Sequence, residues 1–266
     1  MRILIVRLGA FGDCLIVTPL IRHLKEIQKF EVYVLTSEGQ GKQIFEGNTC
    51  IDKIIYHVKD SIPNDKLSEY FESVKDAYEC DKVIDLCESI ECRLALHPID
   101  PRYKFTKPEL MEICNKNYYE ETFKIANEQG CNIGMPNRRN PDMLFSEEEY
   151  DFMNREMKHS IGKFKILWGL SGSSRQKTYP TDHMIKFFDL LCRKYSDIEV
   201  FTVGDEICQL LEIPFEEDKR FHRRAGVWNM RQSILASKFV DVVISPDTGL
   251  LHGSGCFSTP KIGLLT

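Results

Sequence analysis

The chain has 266 residues, room for one large domain or two of ordinary size. An apolar fraction of 42% supports substantial cores, and a net charge of −5 argues against a nucleic-acid partner, which needs a basic surface to neutralise phosphates. No run of 18 apolar residues spans a membrane. The opening run Ile3-Leu4-Ile5-Val6 breaks at Arg7, too short for a signal-peptide core, so the expected location is the cytoplasm. Ten cysteines are scattered with no C-x-x-C spacing, which gives no support to a zinc site or redox pair and predicts free, buried thiols.

Strands and helices alternate from the start. Ile3–Val6 reads as a strand, and 13–27 as a helix with Ile16, Leu20, Leu24 and Ile27 at helical spacing. Val32–Leu35, Ile54–Tyr56 and Val83–Leu86 are further strands, with a helix over Leu67–Tyr78. Signals fade over 99–117, where Pro101 and Pro108 break any pattern, and a helix follows over Tyr118–Gln129. The Gly-, Pro-, Asn- and Arg-rich stretch 132–142 reads as a connector. Ser146 with Glu149 three residues later marks the start of a helix reaching His159. A second series then runs through a strand (Lys165–Gly169), a helix (Asp182–Tyr195), a strand (Glu199–Val203), a helix (Gln232–Ser237) and a strand (Val240–Ser245). A short helix and a last strand, Lys261–Leu265, close the chain. Two such series predict two doubly wound α/β domains, 1–145 and 146–266, facing each other across a cleft.

Four motifs could carry chemistry. Asp247-Thr248-Gly249 lies where a buried strand turns into a helix, whose first turn exposes unpaired N–H groups and the positive end of its dipole, a place suited to a phosphate. Its likeness to the aspartic-protease triplet fails, because only one D-T-G occurs and the pattern is α/β. His252 lies on the helix that this turn begins. Gly169 to Pro180, with Gly172, small hydroxyl residues and the cations Arg175 and Lys177, reads either as an anion-friendly loop or as a solvated one. Val203-Gly204-Asp205-Glu206 ends a strand, where an acidic residue either accepts from ribose hydroxyls or caps a helix. Arg7-Leu8-Gly9-Ala10-Phe11-Gly12-Asp13 lacks the three-glycine dinucleotide pattern, which counts against an NAD-dependent oxidoreductase. Asp13 there either caps its helix or serves as a proton acceptor.

Taken together, Ile3 to Asp13 with Thr18-Pro19, Val34 to Gly39, Lys177-Thr178-Tyr179-Pro180, and Ser245 to Gly249 with His252 and Thr259-Pro260 resemble the heptosyltransferases of glycosyltransferase family 9. Thr178 and Tyr179 depart from that family's usual residues, a basic or aromatic residue and a tryptophan. The resemblance implies a GT-B-like fold of two Rossmann-like domains with parallel sheets. It also implies an inverting, metal-independent transfer of a sugar, such as heptose, from a nucleoside-diphosphate donor to a glycan or lipopolysaccharide-type hydroxyl. Asp13 would be the base. Thr248, Gly249 and Leu250 would present N–H groups to the diphosphate, with Lys177, Asp247 and His252 beside them and Glu206 toward the ribose. No cofactor and no metal are expected, and contact with a membrane surface would be peripheral. Acceptor specificity is expected in loops 57–66 and 87–117. The family's chains continue past 261–265, so the C-terminal domain is expected to be shortened. The alternative reading is a weakly active or inactive relative that binds a nucleotide sugar or glycan.

Overall fold

The computed structural model describes residues 1–58, 61–87, 97, 101, 104–172 and 177–264. They form two compact units, Met1–Met143 and Leu144–Thr266.

The first unit is built on a parallel sheet of β1 (Arg2–Arg7), β2 (Glu31–Ser37), β3 (Lys53–His57) and β4 (Lys82–Asp85), in the order β3-β2-β1-β4. Ile3, Leu4, Ile5 and Val6 are fully buried. β1 is an inner strand covered on both faces, which is why its sequence is an unbroken apolar run rather than an alternating one. Among the described residues the unit also holds helices α1 (Phe11–Glu26), α2 (Gln40–Phe45), α3 (Leu67–Ala77), α4 (Lys107–Cys114) and α5 (Tyr118–Glu128). Phe71 and Val74 of α3 pack on Leu4, Val6, Leu35 and Ile55. Pro19 lies inside α1 and cannot bond the Leu15 carbonyl. The Thr18 hydroxyl donates to that carbonyl instead, at 2.8 Å, and accepts from the Asp142 N–H at 2.8 Å. One side chain thus repairs the helix and fastens the connector to it.

The second unit holds β5 (Phe164–Gly169), β6 (Ile198–Val203), β7 (Phe221–Arg223), β8 (Val242–Pro246) and β9 (Lys261–Leu264), all parallel, in the order β7-β6-β5-β8-β9. Its helices are α6 (Glu147–Met157), α7 (Thr181–Lys194), α8 (Gln209–Glu212), α9 (Met230–Ala236) and α10 (Gly249–Ser254). Trp168, Met184, Phe188, Val200 and Phe215 form one core cluster, with the Trp168 and Phe188 rings 4.7 Å apart.

The two strand orders share one property. In each unit the chain moves outward on one side of its first strand and then crosses to the other side. The switch falls between β1 and β4 in the first unit and between β5 and β8 in the second. Open α/β sheets bind ligands outside the carboxyl ends of the strands at such a switch point.

The expected α/β class and both series of elements are present. Four short elements depart from the sequence reading: α2, α4, α8 and β7. Pro108, read above as a breaker, stands in the first turn of α4, where its missing N–H costs nothing. Thr106 and Glu109 cap that helix: the Glu109 carboxylate accepts from both the Thr106 N–H and its hydroxyl at 2.7 Å. α4 buries none of its residues, so it leaves no apolar period to read. α9 begins earlier than expected because Asn229 and Gln232 form a reciprocal cap at 2.9 Å each way. Nine cysteines among the described residues are free thiols, but only Cys14, Cys80, Cys131 and Cys208 are buried, so burial holds for part of the set. Parts of the acceptor loops (59–60, 88–96, 98–100 and 102–103), of the loop after β5 (173–176, including Arg175) and of the last strand (Leu265) lie outside the described residues.

Candidate functional site

In the second unit the functional candidates gather at the switch point. β8 is buried through Val243, Ile244 and Ser245, ends at Pro246, and Thr248 follows in an extended conformation (φ −146°, ψ 171°) as the residue before α10. The Ser245 hydroxyl donates to its neighbour's carbonyl, Pro246 O, at 2.9 Å and lies 3.0 Å from the Thr248 hydroxyl. Its single proton being used, Thr248 is the donor of the second bond. The first bond that closes α10 runs from the His252 N–H to the Thr248 carbonyl at 3.1 Å. The N–H groups of Gly249, Leu250 and Leu251 therefore precede any partner within the helix, as at every helix start.

Gly169, Gly172 and Lys177 lie against this turn. A Cβ at Gly169 would stand 2.8 Å from Ser245 Oγ and 2.9 Å from Leu250 Cδ2, so glycine there makes room for these two side chains. The Gly172 N–H donates to the Lys177 carbonyl at 3.0 Å. Lys177 Nζ then reaches Asp247 Oδ2 at 2.9 Å, and His252 Nε2 lies 3.2 Å from Asp247 Oδ1. Burial pushes the Asp247 carboxyl up, but the hydrogen bond and charge of Lys177, aided by His252, outweigh it and hold the group below the ordinary carboxylate value. Sequence reading thus named four residues that the structure brings together: Lys177, Asp247, Thr248 and His252, with Gly249 and Leu250 on the helix start.

Glu206 is exposed at the start of the 3₁₀ turn Glu206–Cys208, which follows β6. The capping role at that strand end belongs to Asp205, whose Oδ1 accepts from the Cys208 N–H at 3.1 Å. The turn is tied to the loop after β5 through Ser171 Oγ and Cys208 Sγ, 2.9 Å apart. Burial pushes the Cys208 thiol up to about 11, so it packs as a neutral group. Ser171 is one of the small hydroxyl residues of the loop read above as anion-friendly, but nothing in the sequence marks Cys208 as its partner.

In the first unit Asp13 occupies the corresponding switch point. α1 starts at Phe11, two residues earlier than the sequence suggested, so Asp13 is not the residue before the helix but the third within it. Its Oδ2 accepts from the Ala10 N–H at 2.9 Å, reaching back to cap the helix start. Its Oδ1 pairs with the Arg7 guanidinium. The structural role weighed above is therefore present, in a different form. Among the described residues, no group of three or more His, Cys, Asp or Glu is arranged to hold a metal ion, and no helix is long and apolar enough to cross a membrane.

No family model matches the chain. Lipopolysaccharide heptosyltransferase 1 of Campylobacter coli is 22% identical to it over 290 aligned positions, covering 98% of this chain and 83% of that one. A glycosyl transferase family 9 structure from Veillonella parvula superposes with a TM-score of 0.73 at 17% identity, covering 99% and 81% of the two chains. The ADP-heptose lps heptosyltransferase II of E. coli gives 0.68 at 14% identity, covering 99% and 84%. In fold, and distantly in sequence, the chain is similar to the family 9 heptosyltransferases, with the two parallel-sheet units of a GT-B-like protein.

Proposed function

We propose that the protein is a glycosyltransferase that moves a sugar from a nucleoside-diphosphate donor to a hydroxyl of a glycan or lipopolysaccharide-type acceptor, and that a heptose is the sugar. The observation that carries this reading is the Lys177–Asp247 pair at the start of α10, beside Gly172 and at the switch point of a parallel sheet. The names of the similar proteins favour an ADP-linked heptose.

The reaction is a direct displacement with inversion. The acceptor oxygen forms a bond to the anomeric carbon as the bond from that carbon to the diphosphate oxygen breaks. The electron pair leaves with the diphosphate, whose growing negative charge is met by the Lys177 ammonium and by the N–H groups of Gly249 and Leu250. Thr248 contributes through its own N–H. This supplies the positive charge from the protein itself, so the reading calls for neither a metal nor another cofactor. Asp247 and His252 face the sugar or its adjoining phosphate, and Glu206 the ribose. The acceptor's proton passes to a general base, the role given to Asp13.

Calorimetry with ADP and a transfer assay with ADP-sugars test the proposal. Lys177→Ala is expected to weaken ADP binding about tenfold or more, the worth of a hydrogen bond to a charged group. Asp13→Asn is expected to lower kcat by at least about 100-fold with ADP affinity retained. Failure of the parent protein to bind ADP, UDP or GDP would overturn the donor assignment. A second reading, binding without transfer, is favoured by the engagement of both Asp13 oxygens in the fold. ADP binding with no transfer in both the parent and Asp13→Asn would establish that reading.

A further inference from the structure

Arg7 is the last residue of β1, and its side chain is buried, 7% exposed against 19% for Asp13. A buried guanidinium needs a counter-charge and acceptors for its donors, and of those here only Nε is buried without a partner. Here two arms of the fork are used: Nη1 donates to the Leu86 carbonyl, just past β4, and Nη2 pairs with Asp13 Oδ1. The residue's own backbone is held as well, because the Thr36 hydroxyl of β2 donates to the Arg7 carbonyl at 2.8 Å. The side chain therefore runs from β1 to the residue just past β4, across the switch point of the first unit, and meets the start of α1 there.

The Asp13 carboxylate is confined from three directions. Arg7 holds one oxygen and the Ala10 N–H the other. On the remaining side stands the Cα of Gly9, where an added Cβ would overlap the Asp13 carboxyl group. A carboxylate offers about four lone-pair sites, and two are taken by these bonds, so the group is oriented without being saturated.

We infer that Arg7 is the positioning residue of the base: it fixes the rotamer and aim of the Asp13 carboxylate toward the acceptor hydroxyl, while being too buried to meet the substrate itself. The inference rests on the reading of Asp13 as the base. Lysine would not replace it, since a single ammonium cannot make the two divergent bonds that the planar fork makes.

Three variants, each checked by thermal melting, are assayed for transfer from an ADP-sugar. Arg7→Gln removes the charge and the fork. Loss of aim by about 1 Å costs up to about 100-fold, so kcat is expected to fall roughly 10- to 100-fold while both KM values stay within about twofold. Arg7→Lys is expected to recover part of that loss, and a merely structural role would show in the melting temperature without this split of kcat from KM. Wild-type kcat in a folded Arg7→Gln, with Asp13→Asn inactive, overturns the positioning role and leaves the base reading standing. Wild-type kcat in Asp13→Asn overturns the base reading itself, and the inference with it. If Arg7→Gln does not fold, Arg7→Lys decides: a fall of about fivefold or more in kcat at unchanged KM supports the inference, and parental kcat overturns it.

Discussion

Gly172→Ala is the sharpest test of the donor loop, because the structure says what the added methyl meets. Its Cβ would lie 2.5 Å from Lys177 Cβ, 3.1 Å from Thr248 Cγ2 and 3.2 Å from Lys177 Cδ. Carbon atoms rest at about 3.5–4.0 Å, so the nearest clash is deep by roughly 1 Å. Lys177 Cβ cannot swing clear, since it is bound to a backbone whose carbonyl accepts from the Gly172 N–H at 3.0 Å. The two strands of the loop must part, and the ammonium retreats from its 2.9 Å bond to Asp247. Overpacking of this kind costs about 1–3 kcal/mol of stability. If Lys177 binds the diphosphate, losing its aim costs about 1.4 kcal/mol or more, about tenfold in ADP affinity.

Calorimetry with ADP reads this directly, and Gly134→Ala serves as the control, because no atom lies within 4 Å of its added Cβ. On this geometry Gly172 acts through Lys177. Gly172→Ala combined with Lys177→Ala should then bind ADP no worse than Lys177→Ala alone. Additive losses in that cycle, or parental affinity in Gly172→Ala, would refute the argument.

Two further predictions concern pH and the core. The Asp247 carboxyl is held below its ordinary value, so its pairing stabilises the fold above the unfolded pKa of roughly 4 and is lost as pH falls through the folded value. The stability difference between the parent and Asp247→Asn should therefore be full at neutral pH and shrink in acid; being partly exposed to solvent, the pair should contribute only modestly. A difference that grows in acid would contradict this sign. Glu212 is buried at 3% exposure, accepting from the Thr202 hydroxyl at 2.5 Å and the Ala225 N–H at 3.1 Å. Glu212→Leu leaves that N–H without its acceptor and should cost about 1–3 kcal/mol in urea unfolding, whereas Glu212→Gln keeps an acceptor and should cost less. Equal unfolding midpoints for Glu212→Leu and the parent would show that the buried bonds contribute nothing.

The elements that sequence reading located are those whose burial leaves a period or an unbroken apolar run. β1 and β5 sit inside their sheets, and α3 shows its Phe71 and Val74 face at helical spacing. α4 and β7 escaped because one buries no residue and the other is a three-residue edge strand. The site divides in the same way. Asp247, Thr248 and Gly249 were legible because strand, turn and helix are local in sequence. The Ser171–Cys208 contact joins residues 37 apart and the Arg7–Leu86 bond residues 79 apart, and only the sheet order brings either pair together.

The two switch points carry the same pairing, a cation beside a carboxylate at the start of a helix, but with different exposure. Arg7 and Asp13 are 7% and 19% exposed, Lys177 and Asp247 31% and 38%. A cation sealed from water and bonded to a backbone carbonyl has no other partner to turn to, so its carboxylate stays oriented. A cation with a third of its surface in water loses little on changing partners, because solvent already screens the pair. Lysine suits that second case, being a flexible point charge with three donors, and arginine the first. On the proposed function this difference matches the work each pair would do. Lys177 must exchange Asp247 for an arriving diphosphate, or share itself between the two, whereas Asp13 must keep one aim while protons come and go.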